Sequence, residues 1–407
     1  MFLQWISLIN FRNYVRLELS LSPHITVLLG DNAQGKTNLL EAIYYLATGT
    51  SPRAEADRQL LNWAIEADTL SYARLVARVQ QQDAARQIEI TLLKNGNDKP
   101  LEAASIRKEI RINGVTRRVT ELIGQLQVVL FLPQDLQLVD GPPDGRRRYL
   151  DALMCKVDAR YYRAWQKYNR VVYQRNHLLR RLRERGDPEQ LAFWDRQMIE
   201  EGSYLIARRH WLIGCLNHLV AQLHPQLTGQ QESLRLTYLP SVALPERVEQ
   251  SYQLEMPLEG VVDIRSERAR IQQAFTAQLA PLRDDEIERG TSLLGPHRDD
   301  MRFLVNEVDM TSFGSRGQQR TAALAVKLAE VEWLHQETGE WPVLLLDDFL
   351  SELDLARCDY VLATLHRAQQ VLITTTDVHG YPPDFLREAT LLRVQQGVIE
   401  LMAWPLG

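Results

Sequence analysis

Gly30-Asp31-Asn32-Ala33-Gln34-Gly35-Lys36-Thr37 decides how this chain is read. The octapeptide matches G-x-x-x-x-G-K-[ST] in full. It follows the apolar run Ile25–Leu29 and precedes a stretch of helical spacing, Leu39–Ala47. A strand, a glycine-rich turn and a helix in that order make a phosphate cradle. Glycines let the backbone wrap closely, so that successive N–H groups point inward, and the helix adds its positive N-terminal end. Lys36 is expected to reach the β- and γ-phosphates and the Thr37 hydroxyl to ligate Mg²⁺. Gly30 through Asn38 thus form a candidate ATP·Mg²⁺ site. Ala33 stands where glycine is commoner, which is harmless only if its φ is negative.

The partner motif is Val343-Leu-Leu-Leu-Asp347-Asp348. A buried strand that delivers two carboxylates at its end is costly unless they are used. Asp347 is expected to hold the Mg²⁺ shell and Asp348 to polarise the attacking water. About 30 residues upstream, Ser312-Phe-Gly-Ser315-Arg-Gly317-Gln318-Gln-Arg320 precedes a helical stretch, Arg316–His335. Ser315, Gly317 and Gln318 fit the Ser-x-Gly-Gln frame of an ABC signature. There a serine hydroxyl and the free N–H groups of a helix start make a second γ-phosphate cradle. Ser-Gly runs also cap helices routinely. Ser351-Glu-Leu-Asp354 stands at the spacing of an ABC D-loop. Gln134, just after the apolar run Val128–Phe131, stands where a Q-loop belongs and is a candidate catalytic residue and Mg²⁺ ligand.

The chain has 407 residues, 45% of them apolar and 24% charged, which suits a soluble globular protein of two or three domains. Cys155, Cys215 and Cys358 lie far apart with no CxxC, so neither a disulfide framework nor a zinc site is expected, and a reducing cytosol fits. His210, His218 and His224 read as polar helix-face residues. The N-terminus lacks a basic leader, and no run of about 18 uncharged apolar residues occurs, so neither a signal peptide nor a membrane span is expected.

Along the chain, alternating Leu70–Val79 and Gln87–Leu93, with turn signals at Asn95-Gly96 and Asn113-Gly114, predict an antiparallel sheet. Residues 146–227 read as two antiparallel helices of about 40 residues broken at Gly186-Asp187-Pro188. Each would be about 60 Å long at about 1.5 Å per residue. Leu234–Leu239 reads as a strand and Ser266–Ala280 as a helix. From about Gly290 an α/β pattern returns. The fold class is α/β: an ABC-type head, its mixed sheet flanked by helices and by an antiparallel β-subdomain, with a helical lobe inserted. The expected boundaries are 1–125 and 290–407 for the head, and 126–289 for the helical lobe.

With these motifs in this order, the chain resembles the RecF family of the ABC/SMC superfamily. The likeness is carried by Asn10-Phe-Arg-Asn-Tyr14, Gly30–Asn38, and Phe131–Val139 followed by Arg146-Arg-Arg-Tyr-Leu-Asp151. It continues through Leu293-Leu-Gly-Pro-His-Arg-Asp-Asp300, Ser315–Arg320 and Leu344–Asp354. The resemblance implies that Arg12 contacts the nucleotide beside the P-loop. It implies that two chains close head to tail around two ATPs, each lending Ser315 to the other. It also implies a weak, DNA-stimulated ATPase that binds duplex DNA and single-strand/double-strand junctions and works with RecR and RecO in the cytoplasm, at the nucleoid. Two positions depart from the pattern. Gln134 stands where this family has glutamate, and Thr374-Thr-Thr376 where many ABC proteins have a switch histidine.

Net charge is −5, but between Asp144 and Arg185 thirteen Arg/Lys face four acids. That segment carries +9 and leaves −14 on the rest. Such segregation is the footprint of a polyanion partner, with a solvated helix or an acidic protein partner as the alternatives. Arg146, Arg147, Arg148 and Lys156 are candidates for DNA phosphate contact, as are Arg107, Lys108 and Arg111 on the hairpins. Tyr161, Tyr162, Trp165, Tyr168 and Tyr173 interleave at helical spacing and read as core. A long-armed SMC head is excluded, because the insertion is too short for a long coiled coil. An ATPase subunit or nucleotide-dependent scaffold of another complex stays open.

Overall fold

Strands covered on both faces keep no polar side, and the most apolar runs of this chain form its parallel sheet. The computed structural model describes residues 1–62, 72–81, 84–95, 105–244 and 264–402. In it, Val128–Phe131 and Val343–Asp347 are buried at every position. They belong to a six-stranded sheet ordered Val398–Leu401, Thr390–Gln395, His24–Leu29, Gln370–Thr375, Val343–Asp347, Val128–Phe131. Only the Thr390–Gln395/Val398–Leu401 pair is antiparallel. Register sets Leu29 beside Thr375, Thr374 beside Asp347, and Leu346 beside Phe131. The C-terminal ends of these strands therefore share one edge, where open α/β sheets bind their ligands.

A second, antiparallel sheet is ordered Tyr14–Ser20, Phe2–Phe11, Tyr72–Gln80, Ala85–Asn95, Ser105–Ile112, Val115–Arg117. Its inward residues, among them Leu3, Ile6, Leu8, Leu75 and Ile90, share one core with Leu39 and Ile43 of the helix Lys36–Thr48. The expected turn at Asn113-Gly114 has φ of 51° and 79°, the paired left-handed residues of a tight hairpin. The other turn signal runs into residues outside those described.

The chain divides into two compact units, residues 1–136 with 327–407, and residues 137–326. The division differs from the sequence boundaries at two places. Val128–Phe131 joins the parallel sheet of the first unit. Residues 290–326 group with the helices, because Asp300–Val305 pairs antiparallel with Leu234–Leu239. The first of the two expected long helices is split at Asp158, whose carboxylate caps a new helix by accepting from the Arg160 and Tyr161 N–H groups, both at 2.9 Å. The pieces are Pro143–Val157, Ala159–Leu182 and Leu191–Leu227. Asp187 caps the short turn Pro188–Gln190, which precedes Leu191–Leu227. Among the described residues no helix is long and apolar enough to cross a membrane.

The second unit is organised by buried arginines. Arg175 reaches Asp195 at 2.7 Å, Glu286 at 2.6 Å and Ser292 Oγ at 2.8 Å. Arg209 holds Asp151 through both oxygens and donates to the Pro296 carbonyl at 2.6 Å. Asp151 also accepts from Tyr161 and from Trp165 Nε1, and Asp299 from Tyr238 and the Ser241 N–H. Burial raises the Tyr161, Tyr168 and Tyr238 phenols well above their usual range, so they act as neutral donors. Tyr161 and Tyr168 are core, as expected, whereas Tyr173 is exposed. His224 is fully buried, contrary to the reading of a polar helix face.

Removing one partner of a buried ion pair strands the other, at a cost of about 3–5 kcal/mol. Glu286→Ala should therefore lower stability toward the low end of that range, because Arg175 keeps Asp195 but loses one of its two carboxylates in a site from which water is excluded. Urea unfolding followed by tryptophan fluorescence, with Trp194 packed against Leu178, Leu179, Leu182 and Leu191 of the same unit, measures it.

Candidate nucleotide site

The P-loop is shaped by contacts from three directions. A Cβ at Gly30 would run into the Val394 carbonyl oxygen, and Gly35 has φ 119°. Both positions require glycine. Ala33 does not meet the condition set by the sequence: its φ is 64°, in the left-handed region that alanine disfavours. The loop is held from outside. Asn13 Nδ2 donates to the Gln34 carbonyl at 3.0 Å, and the Tyr14 hydroxyl to the Gly35 carbonyl at 2.9 Å. The Gly397 N–H reaches Gln34 O at 3.0 Å, and the Gln396 N–H reaches Gln34 Oε1 at 2.7 Å. Asn38 donates to Asn13 at 2.8 Å. Burial pushes the Tyr14 phenol up, so it stays a donor. Asn13 and Tyr14 lie within the motif Asn10–Tyr14, but nothing in their spacing announced a bracing role.

Lys36 Nζ donates to the Gly30 and Asp31 carbonyls, the latter at 2.9 Å. Burial lowers its pKa, while Asp348, Asp347 and Asp31 oppose that effect and favour the charged form. Thr37 Oγ1 donates to Asp347 Oδ1 at 2.7 Å, and Thr374 Oγ1 to the same oxygen at 2.9 Å. Among the described residues no group of three or more His, Cys, Asp or Glu could hold a metal alone. One hydroxyl and one carboxylate suit Mg²⁺, which keeps several waters and takes its remaining oxygens from nucleotide phosphates. The donor set therefore fits ATP·Mg²⁺.

Asp348 has φ 48°, and its N–H donates to Thr374 Oγ1 at 2.9 Å. Strained backbone of this kind persists where the surroundings over-determine it. Thr374, which in the sequence stands out only as a departure from the histidine pattern, thus ties both aspartates together. Ser351 Oγ donates to the Asp348 carbonyl at 2.6 Å, and Asp354 caps the helix Leu355–Leu365. Gln134 is exposed in the turn Pro133–Gln137, just past the strand that pairs with Val343–Asp347. All of these residues lie in the first unit, at the C-terminal edge of the parallel sheet.

Arg12 is engaged with the P-loop helix. Its Nε and NH2 donate to both oxygens of the buried Glu41 at 2.9 and 2.7 Å, and NH1 donates to the Gln59 carbonyl at 2.8 Å. The signature belongs to the second unit. There the Gln318 N–H donates to Ser315 Oγ at 3.2 Å and the Ser315 N–H to Gln318 Oε1 at 3.1 Å, a reciprocal capping box at the start of the helix Arg316–Thr338. Gln318 Nε2 also donates to Glu232 at 2.7 Å. The capping use of the serine is therefore real, and it leaves the exposed Ser315 hydroxyl its own proton to give.

The structure divides the basic candidates. Arg146 is only 4% exposed, paired with Asp300 at 2.6 and 2.9 Å and bonded to the Gly141 carbonyl at 2.6 Å. It cannot meet a phosphate without dismantling that pair, which corrects the sequence reading. Arg147 is tied to the Asp299 carbonyl and Asp144, and Lys108 to Asp57 and the Gly49 carbonyl. Lys156 is half-buried and engaged. Arg107, Arg111 and Arg148 remain at the surface, Arg148 with 75% of its side chain exposed.

Likeness to known proteins follows the same outline. Residues 2–382 match the family described as RecF/RecN/SMC N terminal domain. The chain is 43% identical over 408 residues to the DNA replication and repair protein RecF of Herpetosiphon aurantiacus, covering 98% of this chain and 99% of that one. It is 36% identical to the same-named protein of Geobacillus thermodenitrificans, again over 98% and 99%. A solved structure titled as the recombination mediator protein RecF-ATPrS in the RecFOR pathway superposes with a TM-score of 0.82, at 30% identity over 99% of this chain and 98% of that chain.

Partners that orient a metal ligand contribute about 10–100-fold to metal affinity. Thr374→Val removes a hydroxyl that orients Asp347, so it should raise the Mg²⁺ concentration needed for half-maximal ATP hydrolysis at least about tenfold. A Mg²⁺ titration at saturating ATP checks this, and an unchanged midpoint would remove Thr374 from the site.

Proposed function

Because the chain belongs to the RecF family of ABC-type ATPases, we propose that it is an ATP-gated, DNA-binding protein of recombinational repair. The observation that carries this reading is the convergence of Thr37, Thr374 and Asp347 beside Lys36 and Asp348. Lys36 neutralises the β- and γ-phosphates. Thr37, Asp347 and Gln134 would hold Mg²⁺. Asp348 orients the water that attacks the γ-phosphorus. Mg²⁺, when bound, supplies charge neutralisation across the phosphate oxygens.

Two copies close head to tail, and each offers Ser315, Gly317 and Gln318 to the nucleotide held by the other. Arg12 leaves Glu41 to contact that nucleotide. The closed dimer grips duplex DNA and single-strand/double-strand junctions through phosphate contacts, which set affinity without reading sequence. Weak, DNA-stimulated hydrolysis reopens it. Relatives named for DNA replication and repair, and a solved relative titled within the RecFOR pathway, support a role at gaps beside RecO- and RecR-like proteins in the cytoplasm.

Specific activity should rise with protein concentration and with gapped duplex DNA, because two chains share each site. A flat, DNA-independent rate would mean a self-contained ATPase. For the DNA surface, the salt slope of binding falls by about 0.9 for every phosphate that the protein ceases to neutralise. Arg107→Glu with Arg148→Glu should flatten the log–log salt plot by roughly that amount for each arginine that meets a phosphate, at unchanged ATP affinity. An unaltered slope would move the DNA surface elsewhere.

A further inference from the structure

Two stretches of the second unit, residues 146–151 and 293–300, take no part in the nucleotide site, and they meet around a cleft of about 180 Å³. Asp144, Arg147 and Arg148 form one side of it, Trp165 and Asn169 another, and the more deeply placed Arg209 and His297 complete it. Arg209 is already spent. Its guanidinium holds Asp151 through both oxygens and donates to the Pro296 carbonyl. Burial lowers the His297 pKa to about 4, so its imidazole is neutral. It donates to the Ser292 carbonyl at 3.2 Å and accepts from the Tyr168 hydroxyl at 2.6 Å. These groups shape the cleft without adding net charge to it.

Charge is left over on the side formed by Arg147 and Arg148. Arg147 donates to the Asp299 carbonyl at 2.9 Å and stands 3.4 Å from one oxygen of Asp144. Arg148 stands 3.0 Å from the other oxygen of Asp144. Two guanidinium groups thus share one exposed carboxylate, although each has the fork to take two oxygens for itself. The shared acceptor marks where an anion bridges both, and a phosphate brings more oxygens and more charge than the carboxylate does. Nearby, the half-buried Trp165 ring is fixed, because Asp151 accepts from its N–H at 2.9 Å. Asn169 is exposed and, among the described residues, makes no hydrogen bond, so its amide is free both to donate and to accept. A cationic pair, a fixed aromatic surface and a free amide answer to the phosphate, the ring and the polar ring edge of a nucleotide. The volume, below the roughly 300 Å³ of the smallest drug-sized pockets, suits one such unit.

We propose that this cleft binds a single nucleotide, with its phosphate bridging Arg147 and Arg148 in place of Asp144, its ring against Trp165 and the ring edge at Asn169. The ligand chemistry is that of a nucleoside monophosphate, either free or as an unstacked nucleotide of a DNA strand. The site goes beyond the phosphate contact read above for Arg148, and it needs neither the P-loop nor a second copy. Asp144 acts in it as an internal competitor, which holds the two arginines until a phosphate displaces it. Removing Asp144 therefore has the opposite sign to removing an arginine. A merely structural ion pair would give losses on both sides.

The test titrates the full-length chain with thymidine 5′-monophosphate, which lacks the β- and γ-phosphates proposed to meet Lys36, and follows binding by calorimetry. One molecule should bind per chain, with the same affinity for wild type and Lys36→Ala. Arg148→Ala should weaken binding at least about tenfold, the worth of a hydrogen bond to a charged group. Asp144→Asn should tighten it about fivefold, the worth in water of one charge about 4 Å away. Inorganic phosphate, which has no ring to stack, should bind at least about tenfold more weakly. ATP binding by the same variants reads the P-loop separately and should not change with Arg148→Ala or Asp144→Asn. Displacement of the monophosphate by an oligothymidylate without terminal phosphate would support the site with a DNA strand as the source, and failure to displace it would support a free nucleotide. No binding, or binding lost in Lys36→Ala, overturns the site. Equal affinity for inorganic phosphate overturns the ring contact. Arg148→Ala without effect, or Asp144→Asn that weakens binding, overturns the bridging pair.

Discussion

The hydrogen bond from Thr37 Oγ1 to Asp347 Oδ1 joins residues 310 positions apart, and the first unit is built around making it possible. Neither residue can find the other unless His24–Leu29 and Val343–Asp347 lie in one parallel sheet with Gln370–Thr375 between them. That order brings Thr374 into the same contact, where its hydroxyl serves both aspartates. A slip of one residue in any of these strands would turn its side chains to the other face and break the convergence. Burial on both faces of the sheet makes such a slip costly.

The same economy governs the arginines. A run with net charge +9 looks like a surface for a polyanion, yet Arg146 and Arg175 within it point inward, as does Arg209 beyond it. Arginine suits buried pairing because its planar fork matches two carboxylate oxygens at once. Arg146 uses this on Asp300, so part of the apparent footprint is internal scaffolding, and Arg209 does the same on Asp151 outside the run. Net charge along a sequence counts guanidinium groups without regard to the direction they face. Two buried arginines, Arg146 and Arg175, are lost to that surface, and of the named candidates Arg107, Arg111 and Arg148 stay exposed.

The signature segment stabilises its own helix start. Ser315 and Gln318 close a capping box, which stabilises the helix start whether or not nucleotide is present. The cap holds a serine hydroxyl and a set of N–H groups at one exposed tip, a preorganised arrangement that needs no rearrangement to meet a phosphate. The cap does not exclude the phosphate contact proposed for Ser315, so the bland and the functional reading are compatible.

The strand–loop–helix at Gly30–Thr37, the apolar strand ending in Asp347-Asp348, and the runs Val128–Phe131 and Leu234–Leu239 were legible in the amino-acid order, because their signals are local: periodicity, glycine placement and turn chemistry act over a few residues. Whatever depends on partners distant in the chain was not. It took three-dimensional packing to establish that residues 290–326 pair with the helical unit, that Ala33 is left-handed, that Asn13 and Tyr14 brace the P-loop, and that Arg146 faces Asp300 rather than solvent. The physical reason is common to all four. A backbone angle or a side-chain direction is fixed by what packs against it, and that neighbour is supplied by strand order and register rather than by adjacency in sequence.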